Sequence, residues 1–298
     1  MNTLLTHLVN GIALGAVYAL LALGFVVVYK ATQVLNFAHA GTFMAAGYVI
    51  WYASRELNLP FVVAVAAGTV AAAVIGVVLE RVTAASVSAG ALVSASIITL
   101  GADIMLQAEV NRRLGSRVLD LGDPWGARTV EIGGVTIAQS RLVAGLVTAV
   151  VVTALFLWLR RSSWGIAVRA ATEDRETAAL MGVPLRRITV AAWIAAGAFA
   201  AVAVLFLTSF PSPGLDATTT AVALRALPAA IIGGLDSLEG AVVGGLLVGV
   251  AEVLVQGYQG GLDFLGEGFY TVVPYLLMMV VLLVRPTGLF GTREVSRV

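Results

Sequence analysis

The run LLTHLVNGIALGAVYALLALGFVVVY, residues 4–29, contains no Asp, Glu, Lys or Arg, and Lys30 closes it. Roughly 20 helical residues cross the hydrocarbon of a bilayer, so this run is long enough to span one. It exceeds a signal-peptide core and has neither a basic leader before it nor an A-x-A-like cleavage site, which makes it a retained first span. Further apolar runs cover Ala38 to Ala53, Pro60 to Leu79, Val87 to Leu106, Leu142 to Leu159, Ile188 to Ser209, Ala221 to Leu235, Ala241 to Val255 and Phe269 to Val284. The second and seventh are too short to cross untilted and can be re-entrant or broken. Composition agrees: 59% apolar residues, 12% charged and a mean hydropathy of +0.97 exceed what soluble domains carry. The expected fold is an all-α polytopic integral membrane protein with about eight or nine transmembrane or half-membrane helices. Residues 1–298 then form a single transmembrane domain with no room for a soluble one. The 32 glycines suit close helix packing in lipid. With no cysteine, disulfides, thiolate metal sites and thiol nucleophiles are excluded, and a net charge of +1 offers no field for nucleic acid.

Orientation follows from the basic residues. Arg160, Arg161, Arg169, Arg175, Arg186 and Arg187 make the 160–187 loop the strongest cytoplasmic candidate, and counting outward places Lys30, Arg81 and Arg285 on the same side. The 257–268 loop carries Asp263 and Glu267 without a base and falls outside. The N-terminus is therefore expected outside and the C-terminus inside. The 107–141 loop also falls outside, although it holds Arg112, Arg113, Arg117, Arg128 and Arg141 beside Glu109, Asp120, Asp123 and Glu131. Within it, TVEIGGVTI (129–137) alternates as two strands around Gly133-Gly134, a small β-hairpin near 129–137. That hairpin suits either a docking edge for an extracytoplasmic binding protein or a compact cap on the helix ends.

Between two apolar runs stands RAATEDRETAALMGV, residues 169–183. Ser162 and Ser163 can cap a helix running from about Gly165 to Met181, with Gly182 as a left-handed C-cap and Pro184 beyond. Ala171, Arg175, Ala178 and Gly182 recur at helical spacing and form one narrow small-residue face that a partner's groove could grip. A solvated connector helix accounts for the same pattern.

The order of residues here resembles the cytoplasmic coupling loop of ABC-importer permeases, specifically the branched-chain amino acid family. Arg169, Ala170, Glu173, Asp174, Ala179, Gly182 and Val183 fill that family's pattern, and Ala178 lies on the gripped face. Other segments are similar to the same family: NGIALGAVYAL (10–20), VLNFAHAG (34–41), LRALPAAIIGGLDSLEG (224–240) and RPTGLFG (285–291). The Asn-Phe-Ala-His element points to the LivH-type permease rather than its LivM-type partner. Two departures are Ala40 at a usual glycine and the acidic Asp236 and Glu239. The resemblance implies a paralogous LivM-type permease subunit, two ABC ATPase subunits docked on the coupling loops, and an extracytoplasmic solute-binding protein, in a bacterial inner membrane. It implies a branched-chain or other apolar amino acid as substrate, or urea and short amides in close relatives. ATP and Mg would be used by the partner subunits. No cofactor is expected on this chain, and no enzymatic activity, because its only lysine follows Tyr29 rather than a Gly in a phosphate-binding loop.

Polar groups inside the apolar runs are costly and mark a substrate pathway by default. Asn36 could cap a half-helix and aim its positive end at an anionic substrate group, with His39 beside it. A plain helix cap, with His39 bonded to a carbonyl, fits equally. Arg225 needs a partner, for which Glu252, Asp103 or a substrate carboxylate can serve; a structural Arg–Glu pair is the plainer reading. Gly233-Gly234 and Gly244-Gly245 permit broken or closely packed helices. A gradient-driven carrier would share these features but has no use for a coupling helix. An intramembrane enzyme is disfavoured because neither H-E-x-x-H nor G-x-S-x-G occurs.

Overall fold

The computed structural model describes residues 2–132, 135–173, 175–209, 211–212, 214–261, 266 and 268–291. In chain order the elements are α1 (Asn2–Thr32), α2 (His39–Trp51, continued by a π-helical turn Tyr52–Glu56), α3 (Phe61–Ser88) and α4 (Leu92–Leu114). Then come β1 (Thr129–Ile132), β2 (Val135–Ala138), α5 (Gln139–Arg161), α6 (Ser163–Glu173), α7 (Arg175–Leu180) and α8 (Leu185–Thr208). The chain closes with α9 (Thr219–Leu224), α10 (Ala226–Gly233), α11 (Leu238–Gly257) and α12 (Val273–Val284). Six of these helices, α1, α3, α4, α5, α8 and α11, are long and apolar enough to cross a membrane. The shorter α2, α9–α10 and α12 make up the remaining apolar runs, so the all-α, multi-pass expectation holds.

α1 sits at the centre, packed on α11, α8, α5 and α10. Glycine makes the α1–α11 approach possible. A Cβ on Gly11 or Gly15 would fall on the backbone of Val250 or Leu246, and one on Gly245 or Gly249 on the backbone of Ala19 or Gly15. In lipid, where apolar side chains gain little from leaving their solvent, such backbone proximity is what binds helices.

The two ends of the bundle differ. At the basic end, Lys30 Nζ donates to the Asp236 carbonyl at 2.9 Å. The 285–291 tail folds back there, with Leu289 N and Phe290 N donating to Ile232 O and Gly233 O at 2.8 and 3.0 Å. At the opposite, hairpin end, β1 pairs antiparallel with β2 in the register Thr129↔Ala138 to Ile132↔Val135. Beside it Leu119 and Leu215 exchange both backbone hydrogen bonds at 2.9 Å, Arg55 pairs with Asp120, and His7 meets Tyr258. The start of α1 and the 285–291 tail thus lie at opposite ends.

One local boundary changes. The fourth apolar run does not stop at Leu106, because Glu109 pairs with Arg112 and Arg113 at 2.9 and 2.6 Å and carries α4 on to Leu114. These are i,i+3 and i,i+4 neighbours on one helix face. The loop thus begins at Gly115, where φ is +61°. The hairpin forms as expected, although its Gly133-Gly134 turn lies outside the described residues. The helix expected over 165–181 is present on both sides of Asp174, as α6 and α7, and Asp174 itself lies outside the described residues.

Candidate functional site

Halfway along α1, Tyr18 is fully buried and donates its hydroxyl to Glu252 Oε2 of α11 at 2.8 Å. The other carboxylate oxygen of Glu252 receives Arg225 Nη1 at 2.5 Å. Arg225 is the residue at which the short α9 ends and α10 begins, so its side chain leaves the chain where the helix is interrupted. The guanidinium also stands over the Tyr270 ring, 5.9 Å from its centroid, a cation–π contact. Of the two side chains open to Arg225 in the sequence, Glu252 and Asp103, the structure pairs it with Glu252.

This cluster forms the floor of a cavity of about 450 Å³ that reaches toward the hairpin end. Its walls come from α1, α5, the 209–218 connector, α9 and α11. Apolar surface from Ala13, Leu14 and Val17 faces polar groups from Arg141, Asp216, Thr219 and Gln256. Such a mixture, mostly apolar with a few oriented polar groups, suits a small amphiphile. Asp216 accepts from Thr218 N, Thr218 Oγ1 and Thr219 Oγ1 at 2.8–2.9 Å. Burial alone would raise its carboxyl pKa; the Thr218 and Thr219 hydrogen bonds outweigh it and hold the group below its ordinary value.

The other residues singled out in the sequence stand elsewhere. Asn36 is buried and its Oδ1 has no partner among the described residues, but it does not cap α2; that place belongs to Ala38, without a side-chain bond. Instead α4 supplies the acceptors at the start of α2: Thr99 Oγ1 takes Phe37 N at 3.0 Å and Asp103 Oδ1 takes Gly41 N at 2.6 Å. A carboxylate of the chain thus already occupies the position imagined for a substrate anion, and Asp103 is no partner of Arg225. His39 is buried against Phe25, ring centroids 4.7 Å apart, and against Gly24 and the Leu21 carbonyl. Gly233 packs on Gly240, and Gly234, with φ +105°, turns the chain against Gly291. None of these four lines the cavity around Arg225 and Glu252.

At the basic end Ser162 Oγ accepts Gly165 N at 3.0 Å, the expected cap, and Arg169 Nη1 ties α6 to the end of α5 through Leu159 O at 2.7 Å. Ala170 is exposed; α6 includes Glu173. α7 ends in a Schellman turn: Val183 N donates to Ala178 O and Gly182 N to Ala179 O, both at 3.0 Å, with Gly182 at φ +83°. That geometry turns Ala178 inward, to 4% exposure, and thrusts Leu180 and Met181 outward at 87% and 81%. This apolar pair is therefore part of the outward surface of the segment, with Ala170, Ala179 and Gly182, and Ala178 is not on it.

Sequence reasoning missed Tyr18, Arg141, Asp216 and Tyr270 at the cavity. Hydropathy counts Arg141 with the outer loop, and its place at the head of α5 is the signal available. It also missed Leu180 and Met181, whose position just before a left-handed glycine marks them as turn residues.

Comparison with known proteins gives one family. The model of the branched-chain amino acid transport system permease component matches residues 7–282. LivH of Escherichia coli strain K12, named a high-affinity branched-chain amino acid transport system permease protein, is 33% identical over 306 aligned positions, covering 99% of this chain and 97% of its own. BraD of Pseudomonas aeruginosa, which bears the same description, is 32% identical, covering 99% and 98%. A solved structure, PsaBC from Streptococcus pneumoniae in complex with Fab, aligns with a TM-score of 0.46 at 17% identity, covering 96% of this chain and 91% of that one.

Proposed function

Since the chain belongs to the branched-chain amino acid transport system permease family, we propose that it is the membrane subunit of an ATP-driven importer of branched-chain or other apolar amino acids. The observation that carries this reading is the pair Leu180 and Met181, held in solvent by a rigid capped turn at the basic end. Two exposed large apolar residues on a short, stiff projection suit insertion into a groove of a soluble partner, at low entropic cost. The partners are two ABC ATPase subunits, since this chain has no phosphate-binding loop of its own. ATP and Mg act there. The basic end is then cytoplasmic and the hairpin end extracytoplasmic, with the N-terminus outside and the C-terminus inside, in a bacterial inner membrane.

Substrate released by an extracytoplasmic binding protein enters the cavity above Arg225 and Glu252. Val17 and its neighbours receive the aliphatic side chain, while Arg225 and Arg141 offer cationic donors to the carboxylate. A paralogous permease subunit completes the pathway. Alternating access follows when ATP binding in the partners moves α6–α7 and, through α5 and α8, the walls of the cavity. Asn36, His39, Gly233 and Gly234 act, in this reading, by holding α2 and α10 in place.

Because the natural chain has no cysteine, Met181→Cys supplies a single thiol for cross-linking in native membranes. A covalent adduct with a Walker-motif ATPase is expected. An adduct-free chain, with the thiol fully open to a soluble maleimide, overturns the reading.

A further inference from the structure

A second cavity, of about 630 Å³, lies at the basic end between the last turns of α3, the first turns of α8 and α7. It shares no lining residue with the cavity above Arg225. Two buried polar groups line it with their bonding capacity unused. Glu80, 4% exposed, has Oε2 without any partner among the described residues. Its Oε1 has only the Thr189 hydroxyl at 3.1 Å, and that single proton is shared with the Arg186 carbonyl at 3.0 Å. Trp193, 1% exposed, has its indole N–H without a partner among the described residues. Leaving a buried acceptor or donor unmatched is costly, and more so for a charge. The exposed Arg186 lines the same cavity without pairing with Glu80.

A carboxylate whose one donor is shared, an N–H lacking an acceptor and a guanidinium without a carboxylate partner, all among the described residues, line one space and are complementary to a single kind of ligand. We propose that this cavity binds a zwitterion with a primary ammonium group, the ammonium donating to Glu80 and the anionic group accepting from Trp193 Nε1 and Arg186. A metal ion does not fit, because no group of three or more metal-binding side chains occurs among the described residues and the space is far larger than an ion. Two sources carry this chemistry: a free amino acid from the aqueous phase, or the ethanolamine headgroup of a membrane lipid reaching the helix ends. Ala179 and Leu185 flank the exposed turn and also wall the cavity, so an occupant ties the turn to α3 and α8. Occupancy then stiffens the projection that carries Leu180 and Met181. The inference stands on these residues alone and does not depend on what the other cavity transports.

The test compares the purified complex in nanodiscs of phosphatidylethanolamine, of phosphatidylcholine, and of phosphatidylcholine with added leucine. Deuterium uptake of the 180–190 segment is read in each. Phosphatidylcholine has no ammonium N–H and cannot donate to Glu80. Slower uptake in phosphatidylethanolamine identifies the lipid source, and slower uptake with leucine identifies the free amino acid. In either case Glu80→Gln should weaken the ligand's half-maximal effect about tenfold or more, the scale of one charge-assisted hydrogen bond. If that variant does not fold, Trp193→Phe, which keeps a ring and deletes the donor, carries the same comparison with a smaller loss. Equal uptake in all three preparations, or a ligand effect untouched by both substitutions, overturns the proposal.

Discussion

Arg225→Met should separate the structural value of the buried pair from its role in transport. The two side chains are 14% and 4% exposed and meet at 2.5 Å, so both charges have left water. Removing the cation leaves Glu252 with Tyr18 as its remaining hydrogen-bond partner among the described residues. Breaking a buried pair from one side costs on the order of 3–5 kcal/mol, whereas replacing both members by apolar residues of similar volume is often neutral or stabilising. Arg225→Met alone should therefore lower the thermal unfolding midpoint markedly in detergent. Glu252→Leu alone should do the same by stranding the guanidinium. Combined, the two substitutions should return the midpoint close to wild type, a coupling read directly from the double-mutant cycle. Uptake by reconstituted vesicles should stay lost in the double variant, because the cavity floor then offers no cation to a carboxylate. An additive stability loss, or transport restored along with stability, would falsify the assignment of Arg225 to the substrate path.

Leu180→Glu with Met181→Glu should abolish ATPase association and uptake while leaving expression and melting unchanged, since both side chains already face solvent; retained association on affinity purification contradicts the docking role. Gly245→Val should destabilise at or beyond the upper end of the ~1–3 kcal/mol overpacking range, because its Cβ would fall on the Ala19 backbone. Gly101→Ala, whose Cβ meets nothing within 4 Å, should be neutral or gain up to about 1 kcal/mol, and thermal melting of the two variants reports the contrast. Asp216 has a folded pKa below its unfolded value of about 3.9. Its contribution is thus fully present above that pH and lost as pH falls through the lower, folded value. The melting difference between wild type and Asp216→Asn should be flat from neutral pH down to about pH 5 and shrink below about pH 4; a difference that grows on acidification contradicts the sign.

What could be read in the chain and what could not divides along physical lines. Apolar runs report burial in lipid directly, so the spans appeared in the sequence, as did the hairpin at Thr129–Ala138, whose strands alternate. Gly182 was legible as a left-handed cap because few other residues adopt that backbone cheaply. Helix ends were harder: α4 runs on to Leu114 through charged residues that hydropathy counts as loop but i,i+4 pairing keeps helical. Pairings across the bundle were invisible in principle. Nothing local tells Arg225 whether Glu252 or Asp103 is near, and nothing near Glu80 announces Thr189, 109 residues away. The direction of a short helix was equally hidden. The small-residue face of 171–182 looked like the gripped surface until the turn after Leu180 showed Ala178 inside and Met181 outside.

The most direct measurement is uptake of labelled leucine by liposomes carrying the co-purified complex and its binding protein, with ATP supplied on the ATPase face and ion gradients collapsed by ionophores. Accumulation that requires hydrolysable ATP and persists without any gradient is the result expected of an ATP-driven permease. Accumulation that follows an imposed proton or sodium gradient and ignores ATP would contradict it.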